Sequence, residues 1–141
     1  MATTVAASAT APGTGLRIAL WIAQLLLAAL FCGAGFAKVT TPLPELAQML
    51  PYTADLPGGL VRFIGACEIA GGVGLVLPAL FRILPILTPL AALGLTAIMV
   101  LATLFHVSRA EWSAIGMTIA IGAVAAFVAW GRLKKARIAP R

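Results

Sequence analysis

Charge is the scarcest commodity in this chain. Only 10% of its 141 residues are charged, where an ordinary soluble domain carries about 25%. Mean hydropathy is +1.07, and 62% of the residues are hydrophobic. A soluble fold is therefore excluded, and an integral membrane protein small enough for one domain is implied. Strand-like alternation is missing, which argues against a β-barrel and for an all-α fold. There is no glycine-rich phosphate loop, nucleophile elbow or haem attachment motif. Cysteine is limited to Cys32 and Cys67 without a CxxC spacing, and histidine to His106. That is a poor donor set for a metal, so none is expected.

Long uncharged runs are what the chain has instead. Ile18–Ala37 (20 residues), Ile83–Phe105 (23) and Trp112–Gly131 (20) contain no charge, and the 22 residues of Leu60–Phe81 contain only Arg62 and Glu68. Each reaches the ~20 residues that a helix needs to cross the hydrocarbon. Backbone groups in lipid must be satisfied internally, so the expected fold is a bundle of four transmembrane helices. Residues 1–15 lack charge and the basic start of a secretory signal, and are expected to be a disordered tail. Residues 16–133 form the helical domain, and residues 134–141 a basic tail. The second and third spans are separated by little more than Arg82, with Pro85 and Pro89 in the first turns of the third span. In the loop Val39–Gly59, Leu43, Leu46 and Leu50 fit a short surface helix, while Pro42, Pro44, Pro51 and Pro57 fit an irregular loop equally well.

The net charge of +6 does not point to nucleic acid, because five of the ten Lys and Arg residues lie in the last ten positions. A basic end directly after a span suits a cytoplasmic face and anionic lipid. With the N-terminus inside, the inner side carries Arg17, Arg82, Arg132, Lys134, Lys135, Arg137 and Arg141, and the outer side Lys38, Arg62 and Arg109. Seven against three supports both termini in the cytoplasm. Small residues recur at Ala29, Gly33 and Ala37, at Ala66, Ala70 and Gly74, and at Gly122 and Ala126. Such rows let helices approach closely, within one chain or between copies.

Glu68 is the outstanding residue. A carboxyl group at mid-span costs roughly 2.5–3.5 kcal/mol to insert, so something must pair with it or use it. It falls ~12 Å below the end of its helix, with Lys38 and His106 at the rim of the same side. Gln24, Phe31, Gly35 and Lys38 share one stripe of the first helix, and Gly65, Glu68 and Gly72 one stripe of the second. Glycines beside Glu68 admit a neighbouring helix or a flat ligand. Two readings stand open: a buried Lys38–Glu68 ion pair that fixes helix packing, or a site that handles protons or anchors a ligand. His106 fits a single interfacial hydrogen bond or a place in that site. Arg62 is expected to snorkel to headgroups, and Glu111 to cap the fourth helix or pair with a rim cation. Cys32 and Cys67 lie at equal depth, as packing residues or as a thiol pair.

The chain resembles the DoxX-like family of small bacterial membrane proteins. The resemblance is carried by Leu30-Phe31, Gly35-Phe36-Ala37-Lys38, the run from Phe63 through Glu68 to Gly72, Gly74 to Pro78, Pro89 to Leu95, Phe105-His106 and Glu111. It covers about residues 16–133. It implies a four-helix membrane fold and carries Lys38, Glu68 and His106 forward as candidate catalytic positions in a bacterial cytoplasmic membrane protein. The glycines of the two facing stripes, Gly35, Gly65 and Gly72, are the candidate cofactor-binding positions from the residues themselves. Some relatives resemble subunits of membrane oxidoreductases, which implies a redox-linked subunit with a quinone as cofactor. The alternative is a non-enzymatic scaffold for an oxidoreductase or stress-defence complex, with a protein partner or a second copy of itself. A small transporter is the third reading, but paired inverted repeats and broken helices are missing.

Overall fold

The computed structural model describes residues 11–141. Five helices follow in order: α1 (Thr14–Thr40), α2 (Leu43–Met49), α3 (Gly58–Phe81), α4 (Leu87–Ser108) and α5 (Trp112–Trp130). A 3-10 turn, Pro51–Asp55, separates α2 from α3, and a π turn, Gly131–Lys135, extends α5. Four of these helices, α1, α3, α4 and α5 with its extension, are long and apolar enough to cross a membrane. α1 packs on α3, α3 on α4, α4 on α5, and α5 returns to α1. Large side chains such as Leu26, Phe63 and Leu101, each about two-thirds exposed, point outward as lipid-facing groups do. The interior is narrow and built largely from Ala23, Leu27, Phe31, Leu75, Ala92, Leu95, Ala125 and Val128.

Proline sets the connections at one end. Thr41, Leu50 and Leu56 each precede a proline, and each leaves the helical region, with ψ of 136°, 82° and 146°. A residue before proline is driven out of the α region by the proline ring. The chain therefore breaks at 41, 50 and 56 and resumes as α2, the 3-10 turn and α3. Of the two readings for the Val39–Gly59 loop, the short helix is the one observed, with Leu46 as its buried anchor. We call this the loop end of the bundle. The opposite, terminal end holds the start of α1 and the close of α5.

Several boundaries differ from the sequence expectation. The third span starts at Leu87 rather than Ile83, because Arg82 and Leu84 adopt positive φ (58° and 47°) and turn the chain over five residues. Pro85 thus lies in the connection, and only Pro89 in the first turn of α4. α1 begins at Thr14, so Thr14 and Gly15, expected in the tail, are helical; residues 1–10 of that tail lie outside the described residues. Lys134 and Lys135, expected in the basic tail, lie in the π turn.

The helix faces also differ in part. Gln24, Phe31, Gly35 and Lys38 are buried together, as their stripe predicts. Burying that stripe turns Ala29 and Gly33 outward, and a Cβ on Gly33 would meet nothing within 4 Å. The close seam between α1 and α3 lies instead at Gly35 and Gly65. A Cβ on Gly35 would stand 2.5 Å from the Gly65 carbonyl oxygen, and one on Gly65 2.7 Å from Lys38 Cβ. Glycine is required there because two backbones meet.

Candidate functional site

Lys38 lies in the last turn of α1 and Glu68 in the third turn of α3, so the glycine seam brings a long stem down beside a carboxylate. Lys38 Nζ donates to Glu68 Oε1 at 3.0 Å and to Oε2 at 2.8 Å. Both side chains are about 95% buried. The pairing solves the insertion problem, since neither charge is left uncompensated. Arg62 donates to the Lys38 backbone carbonyl. It therefore ties the end of α1 to α3 rather than reaching freely to headgroups. The carbonyls of a last helical turn lack intrahelical donors, and the guanidinium supplies one.

Gly65 and Gly72 flank Glu68 on the buried face of α3, and the space beside them is filled by α1. A Cβ on Gly72 would stand 2.6 Å from Cys32 Sγ. Of the two occupants that these glycines admit, the neighbouring helix is the one present. Cys32 and Cys67 are both free thiols, and Cys32 Sγ lies 3.9 Å from the Ile69 carbonyl.

His106, buried in the last turn of α4, stands in the same region but does not touch the ion pair directly through a hydrogen bond. Its Nδ1 lies 2.5 Å from Glu111 Oε2. Glu111 in turn accepts from Arg109 Nε at 2.8 Å, and Arg109 also pairs with Asp55 of the 3-10 turn. Of its two expected roles, Glu111 takes the second: it makes no capping hydrogen bond to α5. The bond to His106, reinforced by Arg109, holds the Glu111 carboxyl below its ordinary range.

Tyr52 completes the cluster, and sequence reasoning missed it. It sits in the 3-10 turn, its hydroxyl facing Lys38 and Glu68. Burial pushes its phenol above the ordinary value of 10.0, and Lys38 offsets part of that rise. Its ring meets the His106 ring edge-on, with centroids 5.3 Å apart. The signal in the sequence was a lone tyrosine directly after Pro51, in a loop fixed by prolines. The outcome is a chain of ionisable groups from buried Glu68 and Lys38 through Tyr52 to His106, Glu111, Arg109 and exposed Asp55. Beneath it, Thr103 and Thr118 join α4 to α5 at 2.8 Å.

A second polar cluster, at the terminal end, was also not foreseen. Gln24 donates to the Leu75 carbonyl at 2.5 Å and accepts from Arg132 Nε at 2.7 Å. Arg132 is 95% buried, and its guanidinium lies over the Trp21 ring, 5.3 Å from the centroid. Gln24 is a polar residue inside an apolar span, on the same stripe as Lys38, and that was the available clue. Among the described residues, no three His, Cys, Asp or Glu side chains converge as a metal site would need.

A four-helix membrane bundle with a buried, charge-paired site at one end is thus the class of protein that this sequence builds. The chain matches the DoxX-like family over residues 22–128 and belongs to it. Comparison with curated proteins and with solved structures returned no match.

Proposed function

We propose that this DoxX-like protein is a redox-linked membrane subunit in which the loop-end cluster passes protons to and from a quinone or a similar apolar molecule. The supporting observation is the run of ionisable groups that leads from buried Glu68 and Lys38 to the exposed rim. Reduction of a quinone to a quinol takes two electrons and two protons. The chain has no electron carrier among its residues, so a partner oxidoreductase supplies the electrons. Glu68 holds or releases a proton, Lys38 balances its charge, and Tyr52 and His106 offer hydrogen bonds toward the rim. Tyr52, partly exposed, stands between the buried pair and the rim, where its hydroxyl is offered to an arriving molecule. The basic terminal end favours a cytoplasmic location for both termini in a bacterial cytoplasmic membrane, which puts the loop end on the outer side.

A scaffold is the second reading, and the glycine seam favours it. Backbone contact at Gly35 and Gly65 fills the space beside Glu68, and the ion pair then serves to fix α1 on α3 for a protein partner or a second copy. Native mass spectrometry of protein extracted in mild detergent, with released small molecules identified, separates the two. The redox reading expects a stoichiometric quinone, lost in Tyr52→Phe and in the double variant Lys38→Met/Glu68→Leu. Lipid alone, with a protein partner retained in both variants, overturns it in favour of the scaffold.

A further inference from the structure

The terminal end holds a buried cation with no acidic side chain to match it. Arg132 Nε is satisfied by Gln24 and Nη1 donates to the Ala136 carbonyl at 3.3 Å. Its Nη2 is buried without a partner among the described residues. The four acidic side chains of the chain are all committed to the other end. Glu68, Asp55 and Glu111 are in ion pairs there, and Glu45 lies in α2. A buried guanidinium without a counter-charge is costly, and no acidic side chain of the chain reaches it, so the site calls for an anion.

The setting defines that ion. Arg132 lines a cavity of about 520 Å³ whose wall also includes Arg17, Arg82, Arg137 and Trp21. The cavity is assembled by side chains from α1, the end of α3, the α3–α4 connection and the segment after α5. The Arg82 side chain bonds the Ala139 carbonyl at 2.9 Å, and the Arg141 amide bonds the Arg82 carbonyl at 3.1 Å, which seats the C-terminal segment as one wall. Guanidinium forks match phosphoryl oxygens in geometry as well as charge. The volume exceeds what a halide needs, and the Trp21, Ala79 and Ile138 surfaces offer apolar contact beside the charges. The cavity opens at the end of the spans, the level of lipid headgroups. Only Arg82 among its four arginines falls inside the family match of residues 22–128, so the site belongs to the ends of this chain.

We propose that this cavity binds a phosphoryl group, with Arg132 as the buried cation and Arg17, Arg82 and Arg137 closing over it. An anionic phospholipid headgroup and free phosphate share that chemistry, and the test separates them. The full-length protein is reconstituted in phosphatidylcholine nanodiscs with and without phosphatidylglycerol, and separately titrated with inorganic phosphate in the neutral discs. Lipid retention is read by native mass spectrometry, and melting by intrinsic fluorescence. One phosphatidylglycerol retained per chain, with a raised melting temperature, assigns a lipid headgroup. The same rise with inorganic phosphate alone assigns the free ion, and either result supports the site. Arg17→Gln and Arg82→Gln, which leave the Gln24–Arg132 core intact, should each weaken retention about fivefold. Lys134→Gln/Lys135→Gln, which removes exposed charge outside the cavity wall, should leave it unchanged. Equal retention of both lipids with no response to phosphate overturns the proposal. So does a loss in the lysine variant as large as in the arginine variants, because diffuse attraction to a basic surface would then account for it.

Discussion

The two ends of the bundle solve the same problem in opposite ways. Each places charge inside an apolar helix packing. At the loop end every buried ionisable side chain on the bundle's helices has a partner within the chain: Lys38 with Glu68, and His106 with Glu111. At the terminal end Arg132 is buried beside a neutral glutamine, and Arg17, Arg82 and Arg137 stand around it without a carboxylate side chain. The first end is complete when the chain folds. The second is complete only with something from its surroundings. Stability at the loop end should therefore depend on sequence alone, and at the terminal end on lipid or ion as well.

The sharpest way to break that contrast is to remove one member of the buried pair. Glu68→Ala leaves Lys38 charged and unpartnered, and should cost about 3–5 kcal/mol. The double variant Lys38→Met/Glu68→Leu should recover most of the loss, because no charge is then buried. Reversible unfolding in mixed detergent measures both. The loss should be the same with and without anionic lipid. A dependence on lipid would erase the distinction between the ends.

The glycine seam comes next. Gly65→Ala pushes a Cβ against Lys38 and the Gly35 carbonyl, and overpacking of this kind costs about 1–3 kcal/mol. Gly33→Ala is the matched control, since its Cβ would enter open space. It should be neutral or slightly stabilising, because alanine is the better helix former by up to ~1 kcal/mol. If both substitutions cost the same, the seam lies elsewhere. At the terminal end, Gln24→Leu removes the acceptor of Arg132 Nε, and an orphaned buried donor costs about 1–3 kcal/mol. Unlike the Glu68→Ala loss, this one should grow when anionic lipid is withdrawn.

How far the sequence disclosed this arrangement depended on the physical scale of each feature. The four spans were plain, because twenty uncharged residues in a row have few alternatives to crossing a membrane. The stripe from Gln24 to Lys38 was plain too, since helical spacing and polarity together pick one face. Turn chemistry was less visible. Arg82 and Leu84 take a positive φ that neither residue type favours, so nothing in their identities moved the start of α4 to Leu87. The alanine-glycine rows located the packing face only in part: Gly74 and Gly122 pack against α4, while Ala29, Gly33, Ala66, Ala70 and Ala126 face outward, because alanine is equally at home against lipid. Tyr52 and the Arg132–Gln24 bond were out of reach for a different reason. Both join residues far apart in sequence through side chains, 108 positions in the second case, and no local pattern encodes that.

The smallest expected effect concerns the rim of the loop end and its dependence on pH. His106 first, and Arg109 second, hold the Glu111 carboxyl below the ordinary carboxylate value of 4.5. The folded chain then binds a proton at Glu111 less readily than the unfolded chain does. Its contribution to stability is complete above about that ordinary value and fades as the pH falls through the lowered one. The rim lies near solvent, so the change should be modest and should shrink in high salt. His106→Gln removes the larger of the two causes, and should move the acid end of the stability profile upward toward the ordinary carboxylate range. The Arg132 end has no carboxylate side chain to protonate, so Arg17→Gln and Arg82→Gln should leave that profile in place. An acid transition that shifts with those arginines instead would mean that the two ends are coupled through the bundle, and that the loop end is not self-contained.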